Sequence, residues 1–218
     1  MPSAARVRSL WQAYTQLLER RPLATNMATS AVLWGAGDLA AQSLERRSRL
    51  GHGAGPAALS QGDAAEWSLN LRRTAIQVGF GSLMWTPTAH YWYPLLDRAA
   101  RSVAKCGSRR FVATKLLLEL AVLHPIFLLA FFGSVGLASG DEPTAIRSQI
   151  AQDLLPTLGL EWALWAPIDG AVFAVVPVRH QVLVINAGCF VESVGLSFIK
   201  ANGITLPGEH SHEDTIGL

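Results

Sequence analysis

The chain has 218 residues, half of them hydrophobic and only 16% charged, with eighteen Lys and Arg against sixteen Asp and Glu for a net charge of +2. An ordinary soluble domain carries roughly 25% charged residues, so a conventional soluble enzyme is disfavoured. Disorder is excluded by the apolar content, and so small a net charge offers no direct hold on nucleic acid. Two cysteines, Cys106 and Cys189, have neither the number nor the spacing of a disulfide framework or a zinc site.

In chain order, residues 1–21 carry Arg6, Arg8, Arg20 and Arg21 against Glu19 alone, a net +3, and bring Leu10, Tyr14, Leu17 and Leu18 near one helical face. This predicts an amphipathic helix lying on a bilayer with Trp11 and Tyr14 at headgroup depth; an arginine-bearing start of this kind also suits a mitochondrial address. Residues 22–44 are apolar except for Asp38, and 46–70, rich in Gly, Ala and Ser, read as an exposed flexible loop. Residues 76–96 hold no Asp, Glu, Lys or Arg over 21 positions, and 120–140 repeat this. Each window matches the roughly 20 residues a helix needs to cross the hydrocarbon. The third span is placed at 116–138 and the fourth at 156–177, the latter containing Glu161 and Asp169. After Pro177 a further apolar stretch, 180–199, holds Glu192 and reads as a fifth crossing, a kinked continuation or a re-entrant hairpin. Residues 201–218 are expected to be a disordered tail.

Charges gather between the spans. The connector 97–115 has six basic residues against Asp97, a net +5, while 139–153 has Asp141, Glu142 and Asp153 against Arg147, a net −2. Alternating sides are implied, with the basic connector and the N-terminal segment on the cytoplasmic or matrix side. The prediction is therefore an all-α, multi-pass transmembrane helix bundle over 22–200, of four spans with a further helix after Pro177.

Gly35, Gly37 and Ala40 formally satisfy a dinucleotide fingerprint, but Asp38 would set a carboxylate beside the pyrophosphate and no alternating β-α pattern follows. Small residues for helix contact explain these positions better. The pair Gly136 and Gly140, and Ala166, Gly170 and Ala174 at spacings of four, predict further helix-packing faces. A carboxylate at the centre of a span costs about 2.5 to 3.5 kcal/mol, so Asp38, Glu119, Asp169 and Glu192 must face protein or water. They are the candidate lining of a cation-favouring path, with His90 as a further intramembrane polar group. The competing reading pairs them with His90, His124, Arg179 or Lys200 to lock the bundle. His210, His212, Glu213 and Asp214 resemble a metal clutch on a tail without fixed geometry. No metal site, cofactor or catalytic constellation is expected.

The stretch LWQAYTQLLERRP, then Gly37, Asp38, Leu39 and Gln42, then Arg73, Gly79, Pro87, His90, Trp92, Tyr93, Leu96 and Asp97 form ordered blocks. On these residues the chain resembles the Mpv-seventeen / peroxisomal-membrane-protein-twenty-two family of small multi-span organelle membrane proteins. The second half departs from the family pattern. Glu119 and Leu120 stand where it shows Asp-Gln, Asp169 and Val172 replace a Gln and an Asn, and Glu192 and Gly195 replace a Trp and a Tyr. The resemblance implies a four-helix membrane bundle with channel activity for small solutes, in the mitochondrial inner membrane or, alternatively, the peroxisomal membrane. The expected partners are the lipid bilayer, small solutes or cations, and a second copy of the chain. The alternative function is a non-conducting structural or assembly factor that binds partners through its small-residue faces.

Overall fold

A computed structural model of the protein describes residues 4–51 and 70–201. Most of the loop expected at 46–70 and nearly all of the tail expected at 201–218 lie outside the described residues. Among the described residues there are helices and short connectors but no strand.

Helix α1, Ala4–Arg20, runs almost directly into α2, Pro22–Gly51. Pro22 has no N–H to donate, and the chain bends there while Arg21 N still donates to Leu17 O at 2.8 Å. Of the predicted α1 face, Leu18 is buried and Tyr14 half-buried, while Leu10 and Leu17 are exposed. Helix α3 covers 71–103 without interruption, and Asn70 caps its start by accepting from Arg73 N at 2.9 Å. Helix α4, Arg109–Ser139, starts at the Ser108 cap and ends at Gly140, whose φ of 94° is left-handed; Gly140 N and Asp141 N both donate to Gly136 O. Helix α5 is Pro143–Val175, and α6 is Val178–Ala201.

Helices α3 and α4 each contain a π-helical turn, at Phe80–Trp85 and Glu119–Leu123. Both turns lie just before a proline, Pro87 and Pro125. A proline ring collides with the carbonyl four residues back and offers no N–H to it, and widening the preceding turn to i→i+5 bonds relieves both problems. Accordingly Thr86 N donates to Gly81 O, and His124 N to Glu119 O.

From α2 to α6, successive helices run antiparallel. Asp38 meets Arg73, Trp92 meets Glu119, Gly136 meets Ile146, and Trp165 meets Gly188 and Glu192. The break at Val176 and Pro177 is a true reversal: α6 folds back along α5 and lies parallel to α2, with Ser30 bonded to Asn186 and Gly37 packed on Phe190 and Ser193. One end of the bundle gathers the α1–α2, α3–α4 and α5–α6 connections, which are basic. The other gathers the start of α3 and the α4–α5 turn, where Arg72 Nη2 donates to the last carbonyls of α4, Ala138 and Ser139, at 2.9 Å each.

The interior holds polar groups to an unusual degree. Ser30, Thr86, Lys115, Glu119, Asp169, Gln181 and Asn186 are all buried, whereas Val32, Leu83, Leu95, Leu117, Ile126, Leu155, Val175 and Val191 are exposed. Two helices, α4 and α5, are long and apolar enough to cross a membrane, and only 22% of each apolar window is buried. A soluble core helix would be mostly buried. At about 1.5 Å per residue these helices exceed the hydrocarbon thickness of about 30 Å, so the charged first turns of α5, which the sequence reading assigned to a connector, project beyond it.

Candidate functional site

A cavity of about 390 Å³ is lined by residues of all five helices from α2 to α6. Trp34, Trp85, Phe127, Phe131 and Trp165 wall it, and edge-to-face contacts such as Phe80 with Phe131 at 5.1 Å hold the aromatic side together. All four acids singled out in the sequence, Asp38, Glu119, Asp169 and Glu192, line this space, together with Glu161 and His124. Helix α5 contributes Glu161, Trp165 and Asp169 at successive spacings of four, one face of an α-helix.

At its inner end, the π turn of α4 decides the geometry. In a regular helix, residues five apart point about 140° away from each other; the wider turn brings Glu119 and His124 to the same side, opposite Asp169. His124 Nε2 is 3.6 Å from Asp169 Oδ2, and one donor atom from each of the three residues lies within 4.8 Å of the others. Trp92 Nε1 donates to Glu119 Oε2 at 2.5 Å. Asp169 Oδ2, His124 Nδ1, Tyr93 Oη and Trp85 Nε1 are buried and have no hydrogen-bond partner. Beyond this end sits Lys115, fully buried. Its Nζ donates to Gln181 Oε1 at 3.2 Å, pairs with Asp97 Oδ1 at 3.5 Å and sits 4.7 Å from the Phe173 ring centre.

The outer end is built differently. Asp38, 5% exposed, receives Arg73 Nε at 2.8 Å, Gln42 Nε2 at 2.7 Å and Thr74 Oγ1 at 2.6 Å. Arg73 reaches on to Glu45 with both terminal nitrogens, at 3.1 and 3.2 Å. Burial alone would lower the Arg73 guanidinium; Glu45 and Asp38 more than offset it and hold its pKa above the ordinary value. Asp38 is therefore saturated by partners, whereas Asp169 is not.

His90 does not join the four acids. It faces a second cavity, of about 400 Å³, between α1, α2, α3 and α6, where its Nδ1 lies 3.3 Å from Asn26 Nδ2. Of the small-residue faces, Gly136 packs tightly: a Cβ there would lie 2.8 Å from Ile146 Cγ1. Gly140 instead serves the left-handed turn, Gly170 makes ordinary contact with Leu116, and Ala174 is exposed. The closest approach is at a glycine outside the predicted set, Gly81, where a Cβ would lie 2.3 Å from Trp34; at Gly188, also outside it, a Cβ would lie 2.8 Å from Trp165, as tight as at Gly136. Glu161 is likewise a cavity residue that the sequence reading left out of the site, although its spacing of eight from Asp169 carries the helical signal. A Gly188→Ala chain should lose about 1 to 3 kcal/mol through overpacking, read as a lower thermal midpoint in detergent.

Residues 136–197, which include α5 and most of α6, match the Mpv17 / PMP22 family model. The chain is 28% identical over 194 residues to the mitochondrial inner membrane protein Mpv17 of Danio rerio, covering 88% of this chain and 97% of the relative. It is 26% identical over 189 residues to protein SYM1 of Saccharomyces cerevisiae, covering 85% and 87%, and 27% identical over 174 residues to protein sym-1 of Neurospora crassa, covering 79% and 88%. No solved structure matches. These three relatives align along most of their lengths, and the apolar exterior and acidic interior suit a bilayer: the chain is similar to the Mpv17 / PMP22 family, among whose matched relatives are proteins named for the mitochondrial inner membrane.

Proposed function

We propose that the protein is a cation-favouring pore for small solutes, with α2 to α6 each crossing the membrane and α1 lying at its surface on the basic side. The observation that carries this is the cavity. Glu119, Glu161, Asp169 and Glu192 face one hydrated-size space inside an apolar shell, and His124 is the one basic group beside them at ion-pair distance among the described residues. Such a space favours positive charge. The layer of Lys115, Asp97 and Gln181 makes this conformation a closed one. Planar-bilayer reconstitution tests the reading: wild-type protein should carry cation-biased currents, and Asp169→Asn should reduce both current and bias. Silence from well-folded protein would sink the pore.

The same Lys115 layer favours a second reading, a non-conducting assembly factor whose buried polar groups only fix the helix register. Crosslinking in native inner membranes would then recover a stable heteromeric partner.

Sidedness is tested separately. Positive connectors face the matrix by the positive-inside rule, so trypsin should cut at Arg109 in inside-out inner-membrane vesicles and leave it intact in mitoplasts. Cleavage in mitoplasts would reverse the orientation.

A further inference from the structure

We infer that Glu119, His124 and Asp169 form a binding site for one divalent metal ion of the Zn²⁺ or Mn²⁺ class, in the interior of the bundle. The donors come from two helices and converge only because α4 makes its π turn at Glu119–Leu123. Their chemistry is one imidazole nitrogen and two carboxylate oxygens, a set that suits Zn²⁺ and Mn²⁺ better than Cu⁺, which prefers sulfur.

Three observations point to a ligand rather than to a helix-locking cluster. First, the groups are not used up on each other. Asp169 is 1% exposed, yet its Oδ2 has no hydrogen-bond partner. His124 Nδ1 has none either, and Nε2 at 3.6 Å from Asp169 is beyond hydrogen-bond reach. An unsatisfied buried group costs about 1 to 3 kcal/mol, and the saturated Asp38 shows that this bundle elsewhere supplies partners. Second, the charges balance. Two carboxylates, a neutral imidazole and a divalent cation sum to zero, the arrangement that low dielectric favours. Third, the surroundings suit a metal ligand: Trp92 Nε1 holds and orients the Glu119 carboxylate from outside, and the cavity gives an approach from the Arg73 end.

Metal–donor bonds of about 2.0 to 2.2 Å place neighbouring donors roughly 3 to 3.5 Å apart. The present spread of up to 4.8 Å therefore closes by about 1.5 Å on binding, within reach of side-chain rotation. Three protein donors leave a coordination position open toward the cavity.

The site does not rest on conduction, so currents without metal would overturn the site alone, and metal without currents would leave it standing. The test uses the full-length chain, purified without a histidine tag, stripped with EDTA and titrated with Zn²⁺ against a chromophoric chelator and with Mn²⁺ by loss of the free-ion resonance signal. One ion per chain is expected for Zn²⁺ or Mn²⁺. That binding should survive the tail variant His210→Ala/His212→Ala and weaken at least about tenfold in Asp169→Asn and in His124→Gln. Since either cavity variant can fail to fold, Co²⁺ is also added to the wild-type chain, where nitrogen and oxygen ligation gives visible bands without a sulfur charge-transfer band. No stoichiometric binding, binding abolished by the tail variant, or a sulfur band implicating Cys189 would each overturn the assignment.

Discussion

A Gly81→Ala chain is expected to lose about 3 kcal/mol of stability or more, a larger penalty than alanine brings at any other described helical glycine. The added Cβ would fall 2.3 Å from Trp34 Cδ2, 2.5 Å from Cγ and 2.6 Å from Cε2, so the indole itself blocks it rather than the end of a flexible chain. The ring cannot swing aside freely, because Trp34 Nε1 donates to Asn186 Oδ1 at 2.9 Å. That oxygen also accepts from Ser30 Oγ at 3.1 Å, and the Asn186 amide is tied to Val182 O. Moving α3 away instead would break the bond from Ser30 Oγ to Gly81 O, at 3.0 Å. Overpacking costs about 1 to 3 kcal/mol, and a lost buried hydrogen bond adds about 1 to 3. Thermal midpoints in one detergent read the effect. Gly79→Ala is the control: nothing lies within 4 Å of its Cβ position, and alanine should gain about 0.5 to 1 kcal/mol in a helix. If Gly81→Ala matched that control, the packing of α2 on α3 described above would be wrong.

Much of the bundle was legible because charge-free windows and charged connectors are first-order signals. The window 76–96 falls within α3, 120–140 within α4 and its Gly140 cap, and the proline at 177 marks the α5–α6 reversal. Convergence of acids from separate stretches was also readable, since a carboxylate in an apolar helix has nowhere to go but inward. What stayed hidden depends on local irregularity or distant partners. His124 is five residues from Glu119, a spacing that a regular helix turns away, and only the π turn before Pro125 aligns the two. Asp38 looked equivalent to Asp169, but its partner Arg73 lies 35 positions along the chain and on another helix. Gly140 satisfies a packing motif by spacing, yet the helix ends there. His90 lines only the second cavity, which α1, α2 and α6 close around that part of α3, whereas Tyr93, three residues on, borders both. Glu119, Asp169 and Glu192 are positions where the sequence departs from the family pattern it otherwise resembles, and all three line one cavity.

The second large effect is expected where α2 meets α3. Arg73→Ala should cost about 3 kcal/mol, the low end of the range for breaking a buried ion pair, because water screens the 40%-exposed arginine but not the 5%-exposed Asp38. The loss arises from what is left behind: Asp38 keeps Gln42 and Thr74 as neutral donors but has no cation, and Glu45 loses both guanidinium hydrogen bonds. Arg73→Lys should recover only part of the stability, since one ammonium cannot meet Asp38 through Nε and Glu45 through two further nitrogens at once. Asp38→Asn on its own should be milder, as Arg73 still holds Glu45. In the Asp38→Asn/Arg73→Ala chain, removing the charge that was stranded should make the double variant more stable than Arg73→Ala alone. A double-mutant cycle on thermal midpoints measures that coupling. Additive losses would mean that the two side chains act separately, and the outer end of the cavity would then be held by Gln42 and Thr74 rather than by the ion pair.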